Sequence, residues 1–148
     1  LKKKNIYQIL GFLGFVPFLF IIFLCFYDEL HINKYLKATI FYLFIIICFI
    51  GATYWGIAIN LQKKNIKLLF FSVIPTIFIV FLYFLNIDLT IKLLASIIFL
   101  NIIFIYEYTY LKNHIPVWYL KLRKKLNFLV TSSVLIIILI TFNYRAFF

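Results

Sequence analysis

The chain has 148 residues, 66% of them hydrophobic and 13% charged, with a formal net charge of +11. Soluble domains sit near half apolar and a quarter charged, and a chain this short buries only part of its surface in water, so a water-soluble globular fold is excluded and lipid is part of the solvent. The 15 Lys and Arg against 4 Asp and Glu do not mark a nucleic-acid binder. Such proteins gather their cations on one face of a soluble scaffold, whereas these fall between apolar runs.

Crossing a bilayer takes about 20 apolar residues in helix, because the hydrocarbon is roughly 30 Å thick. Five stretches reach that length: about Ile6 to Phe26, Leu36 to Ile59, Ile66 to Leu85, Leu89 to Leu111 and Asn127 to Phe142. They predict an all-α integral membrane protein, a five-helix bundle forming one polytopic domain over residues 1–148. Lys2, Lys3 and Lys4 imitate the start of a signal peptide, but the apolar run after them is too long and "FLCFYDEL" is no cleavage site, so an uncleaved first span is expected. The fourth stretch carries Lys92, Asn101 and Glu107; Asn86 and Asp88 supply turn and cap chemistry before it, and "KNHIP" ends it.

Cations orient the bundle. With the N-terminus inside, the inner segments hold Lys2, Lys3, Lys4, Lys63, Lys64, Lys67, Lys112, Lys121, Arg123, Lys124 and Lys125. The outer ones hold only Lys34, Lys37, Lys92 and Arg145. The bias predicts N-terminus inside and C-terminus outside. Within "HIPVWYLKLRKKL", residues 114–126, Pro116 ends the fourth helix or opens the next. Trp118, Leu122 and Leu126 then recur at i, i+4, i+8, with Lys121, Lys124 and Lys125 on another face. That predicts a short amphipathic helix at the inner interface, its lysines reaching anionic phospholipid headgroups, before the last span.

At helical rise, Gly11, Gly14 and Pro17 fall about 8–16 Å from the inner boundary, Tyr54 and Trp55 about 6–8 Å, Ser72 and Pro75 about 9–13 Å, and Glu107 about 5 Å. The unusual residues of four helices thus share the inner half. Gly11 and Gly14 read as close-packing points. Ala52 and Gly56 form a small-xxx-small pair that lets backbones approach. Pro17 and Pro75 predict kinks, the freed carbonyls met by a neighbour or by Ser72. Asn101 is expected to hydrogen-bond across helices, and Thr131, Ser132 and Ser133 to bond back to their own helix. Glu107, an acid within a span, is a functional candidate by default. Two roles stay open for it: a structural pair with Arg123 or a lysine, or a working proton or cation site.

Enzyme chemistry is hard to assemble. His31 and His114 fall on opposite sides, Asp28 and Glu29 lie across the membrane from Glu107, and no phosphate-cradling or nucleophile-elbow motif occurs. Cys25 and Cys48 lie inside apolar runs without a CxxC spacing, so inert thiols are expected. No catalytic, metal or cofactor site is predicted.

Four segments together carry a resemblance. "LGFLGFVPF" (residues 10–18), "FIGATYWG" (49–56), "SVIPT" (72–76) and "PVWYLKLR" (116–123) resemble the LGxxGxxPF, FLGGxHWG, SxxPS and PxWYxxLR segments of a domain-of-unknown-function family. Its members are small bacterial inner-membrane proteins, with a mitochondrial transmembrane relative. Gly51, Trp55, Gly56, Tyr119 and Arg123 match that pattern; Tyr54 stands where the family has histidine, Ala52 replaces glycine and Thr76 replaces serine. The resemblance implies location and architecture and supplies no activity.

The residues predict a non-catalytic membrane protein that packs against a membrane-protein partner, lipid or another copy of itself, or aids assembly of a membrane complex. Its contact surface would be the inner-half glycines and the Trp118–Arg123 stretch. The alternative is a small-solute or ion carrier, with Glu107, Asn101 and Tyr54 lining a cavity beside the proline-broken helices.

Overall fold

The computed structural model describes residues 3–60 and 66–147, with side chains for 5–60 (Glu29 apart) and 66–144. Of the cations that orient the chain, Lys2, Lys63 and Lys64, and the side chains of Lys3, Lys4 and Arg145, lie outside the described residues. The elements in order are α1 (Lys3–Leu13), α2 (Val16–Tyr27), a 3-10 turn (Glu29–His31), α3 (Ile32–Asn60), α4 (Ile66–Phe84), α5 (Leu89–Tyr106), a π-helical turn (Glu107–Leu111) and α6 (Val117–Phe147). There is no strand among the described residues. Five helical stretches are long and apolar enough to cross a membrane: Asn5–Tyr27, Ile32–Asn60, Ile66–Phe84, Leu89–Leu111 and Val117–Tyr144. Lipid offers no partner for a free amide, so spanning backbone must bond within itself, and helix is the solution this sequence takes.

The first span is a broken helix rather than one rod. Pro17 has no N–H to give the Leu13 carbonyl, and α1 stops there. The chain turns through Gly14 and Phe15, and α2 restarts with Pro17 in its first turn, a position where the missing N–H costs nothing. The break leaves the Gly14 carbonyl over, and the Tyr42 hydroxyl of α3 donates to it at 2.6 Å. A short link then joins α2 to α3. There Asp28 accepts hydrogen bonds from His31 Nδ1 at 3.0 Å and from the Tyr35 hydroxyl at 2.8 Å, which together hold its carboxyl below the usual aspartate range.

Helix α3 is the central strut and touches α2, α4, α5 and α6. Its buried stripe runs through Leu36, Leu43, Ile47, Ile50, Gly51 and Tyr54. The most extensive pairing is α3 with α4, and Gly51 is its crossing point. A Cβ placed on Gly51 would lie 2.6 Å from the Ser72 carbonyl oxygen and 3.2 Å from Pro75 Cγ. Only hydrogen fits between those backbones. Pro75 stays inside α4 without splitting it. The Ser72 hydroxyl donates to the Leu69 carbonyl at 2.6 Å, so it is not spent on the Phe71 carbonyl that Pro75 frees. Stacked rings join α4 to α5, Phe71 on Tyr106 at 3.8 Å and Phe78 on Phe99 at 3.9 Å between centroids. Outside this core, Phe41, Phe49, Phe70, Phe81 and Phe128 face outward, as side chains solvated by acyl chains can.

Two sequence expectations change. Gly56 meets nothing within 4 Å, and Ala52 and Trp55 beside it are exposed, so the small-xxx-small pair does not pack within this chain. The amphipathic segment after Pro116 is not a separate helix. The Pro116 carbonyl accepts from Tyr119 N at 2.9 Å, so Pro116 opens α6, and Val117–Phe147 continues unbroken. The two faces read from the sequence are real: Lys121, Lys124 and Lys125 are exposed while Leu122 and Arg123 are buried.

The two glycines of α3 give a paired test. Gly51→Ala should separate α3 from α4 and cost about 1–3 kcal/mol, the range for an overpacked core. Gly56→Ala should leave stability unchanged or slightly raised, because alanine favours helix over glycine. Unfolding by SDS in mixed micelles reads both.

Candidate functional site

A polar seam runs between α5 and α6. On α6, Arg123, Asn127 and Thr131 recur every four residues and so share one face. Opposite them stand Asn101 of α5 and Glu107, first residue of the π turn. Asn127 Nδ2 donates to Asn101 Oδ1 at 2.8 Å, and Asn101 Nδ2 reaches Thr131 Oγ1 at 3.2 Å and its own Ile97 carbonyl at 2.7 Å. The expected cross-helix bond of Asn101 is therefore formed, and Thr131 takes part in it; Ser132 donates back to Phe128 O at 2.8 Å.

The seam ends on an ion pair. Arg123 Nε donates to Glu107 Oε2 at 3.0 Å. Glu107 is completely buried and Arg123 is 9% exposed. A depth of about 5 Å puts a carboxylate within reach of water, yet this one is enclosed; of the two partners weighed for it, Arg123 is the one it has. Tyr54 of α3, also 0% exposed, sets its hydroxyl beside the Glu107 carboxyl without a hydrogen bond of ordinary geometry. Its ring is walled by Phe71 and Tyr106 at 6.5 and 6.3 Å between centroids. Glu107 continues the buried stripe of Leu100 and Ile103 at α-helical spacing, and the π turn begins at it, with Tyr108, Thr109 and Tyr110 exposed. Such turns insert a residue, rotate the helix beyond them and recur at functional sites; nothing in the composition of "EYTYL" announces one.

Four polar atoms at this end stay unpartnered: Glu107 Oε1, an Arg123 terminal nitrogen, the Tyr54 hydroxyl and Asn127 Oδ1. A native core leaves few such groups, so their gathering around one pair marks the place. Beside it opens a cleft of about 500 Å³ between α1, α3 and α6, lined by Gly11, Gly14, Thr53, Tyr119, Arg123 and Asn127 among others. Gly11 lies against Leu122 and Leu126, with 3.1 and 3.3 Å from a notional Cβ. Tyr7 stacks on Trp118 at 5.9 Å across the same α1–α6 contact. On its far side a second hollow of about 810 Å³ is lined by Gln8, Phe12, Trp118, Lys121, Lys124 and Lys125.

The sequence-predicted residues therefore divide into four groups. Gly11, Gly14, Trp118, Tyr119 and Arg123 meet at the cleft. Tyr54 and Glu107 meet behind it. Gly51, Ser72 and Pro75 form the α3–α4 crossing, with Pro17 at the α2 restart and Pro116 at the α6 start. Trp55 and Gly56 face away from all of these. Glu107, Asn101 and Tyr54 do not line the cleft, which departs from the cavity drawn for a carrier. Cys25 is buried and Cys48 half-buried, both free thiols. Asn127 was missed, although its four-residue spacing from Arg123 and Thr131 was readable.

A family model described as "Protein of unknown function (DUF3429)" matches residues 3–140. The chain belongs to that family. No curated protein and no solved structure matches it.

Removing one partner of a buried ion pair strands the other charge, at about 3–5 kcal/mol. Arg123→Met should show that loss in mixed-micelle unfolding. Glu107→Leu/Arg123→Met, which removes both charges, should be markedly more stable than Arg123→Met alone. Equal stability of the two variants would mean that the pair is not held in the native bundle.

Proposed function

We propose that this protein is a non-catalytic, multi-pass protein of the bacterial inner membrane that works by contact. Its N-terminus lies inside and its C-terminus outside, and the first turns of α6 lie at the inner interface. The surface it offers to a partner or to lipid is the end of the bundle where α1, α3 and α6 meet.

The observation that carries this reading is the state of Glu107. A carrier's ionisable group must exchange its partner during the cycle. Glu107 is instead fully buried and held by Arg123 Nε, and Arg123 belongs to a seam whose next members, Asn127, Asn101 and Thr131, bond one another. That arrangement locks α5 to α6. The residues of the first and last family-like segments, Arg123 included, line an open cleft beside the seam. Fixed charge inside and open surface beside it suit a protein that holds something in place, such as a subunit or lipid of a membrane complex under assembly.

Flux measurement decides between this and the carrier reading. Purified protein in liposomes should pass protons and monovalent cations no faster than empty liposomes, and Glu107→Gln should not change that. A proton or cation flux that Glu107→Gln abolishes would establish the carrier instead.

A further inference from the structure

The cleft between α1, α3 and α6 has a shape that selects its occupant. Along α6 its walls run from Trp118 to Val130, and along α3 from Thr53 to Tyr42. At helical rise those are roughly 18 and 16 Å. One leaflet of hydrocarbon, half of a core about 30 Å thick, is about 15 Å. The cleft is therefore an apolar slot one leaflet long and parallel to the helices, with walls of Leu10, Phe15, Ile46 and Val130.

Polar chemistry is confined to one end. Arg123 is 9% exposed and Asn127 5% exposed, and both line the slot. Arg123 spends Nε on Glu107 and keeps further donors. Around the α1–α6 contact, the neighbouring hollow shares Trp118 and Leu122 with the slot and adds Lys121, Lys124 and Lys125. No acid lines either hollow. A ligand that fits has a chain one leaflet long, acceptor oxygens where the chain meets its head, and a negative charge beyond them.

We propose that the slot is a binding site for an anionic glycerophospholipid of the inner leaflet. One acyl chain lies along α6 from Trp118 to Val130. The ester carbonyl at the head of that chain meets Arg123, and the phosphate turns past Trp118 to Lys121, Lys124 and Lys125. This names the lipid partner of the contact surface proposed above and rests on that reading.

Native mass spectrometry of the full chain in detergent, with added phosphatidylglycerol or phosphatidylcholine of identical acyl chains, tests it. Wild type should retain one phosphatidylglycerol at least about tenfold more strongly than phosphatidylcholine, since each lysine near an anionic surface contributes measurably. Ile45 lines the slot and is 47% exposed, so Ile45→Trp should block the slot at little structural cost and remove the bound lipid. Lys121→Gln/Lys124→Gln/Lys125→Gln should keep a lipid but lose the headgroup preference. Unfolding midpoints of both variants, each near wild type, exclude misfolding as the cause. Equal retention of the two lipids by wild type, or full retention by Ile45→Trp, overturns the proposal. A protein subunit or second copy lost on Ile45→Trp, with no lipid retained, overturns the lipid assignment while leaving the contact reading standing. A Glu107-dependent flux would instead overturn the contact reading itself.

Discussion

Lipid refuses an unpaired amide. That single constraint explains why the described backbone is helix joined by short turns, and it also explains where the exceptions fall. Pro17 withdraws a donor, so the first span breaks and Tyr42 must reach across from α3 to cover the Gly14 carbonyl. Pro75 withdraws another, yet α4 continues, pressed there against Gly51 of α3. Two prolines in similar settings thus give a break and a continuation.

The same low dielectric governs charge. Glu107 and Arg123 could not be buried singly, and each is there because the other is. Their pairing fixes the end of α5 to the second turn of α6. Tyr54 closes the back of the pair, and the cleft opens at its front. The seam holds α5 to α6, and two of its members, Arg123 and Asn127, also line the apolar cleft.

Much of this was legible in the sequence, for reasons that can be stated residue by residue. The five spans follow from hydropathy over about 20 residues, a property that needs no tertiary information. The two faces after Pro116 follow from four-residue recurrence of Trp118, Leu122 and Leu126 against the lysines. What was not legible depends on neighbours distant in the chain. Gly51 and Gly56 are five residues apart in the same helix, and nothing local says that one is a crossing point and the other bare. Glu107 near a helix end looks wettable until α6 is laid over it, and the π turn that begins at it has no compositional mark. The break at Leu13 needed Pro17 to be read as a first-turn residue of a new helix instead of a kink within an old one.

The placement of ion pair and cleft in one leaflet stands on α5 crossing the membrane, with the lysine-rich start of α6 on the side opposite the α4–α5 turn. In a background with Cys25 and Cys48 replaced by alanine, Asp88→Cys and Lys125→Cys can each be exposed to a membrane-impermeant maleimide in intact cells and in inverted vesicles. Asp88→Cys should label only in cells and Lys125→Cys only in inverted vesicles. Labelling of both positions from the same side would contradict the crossing, and with it the position of the Glu107–Arg123 pair and the slot beside it.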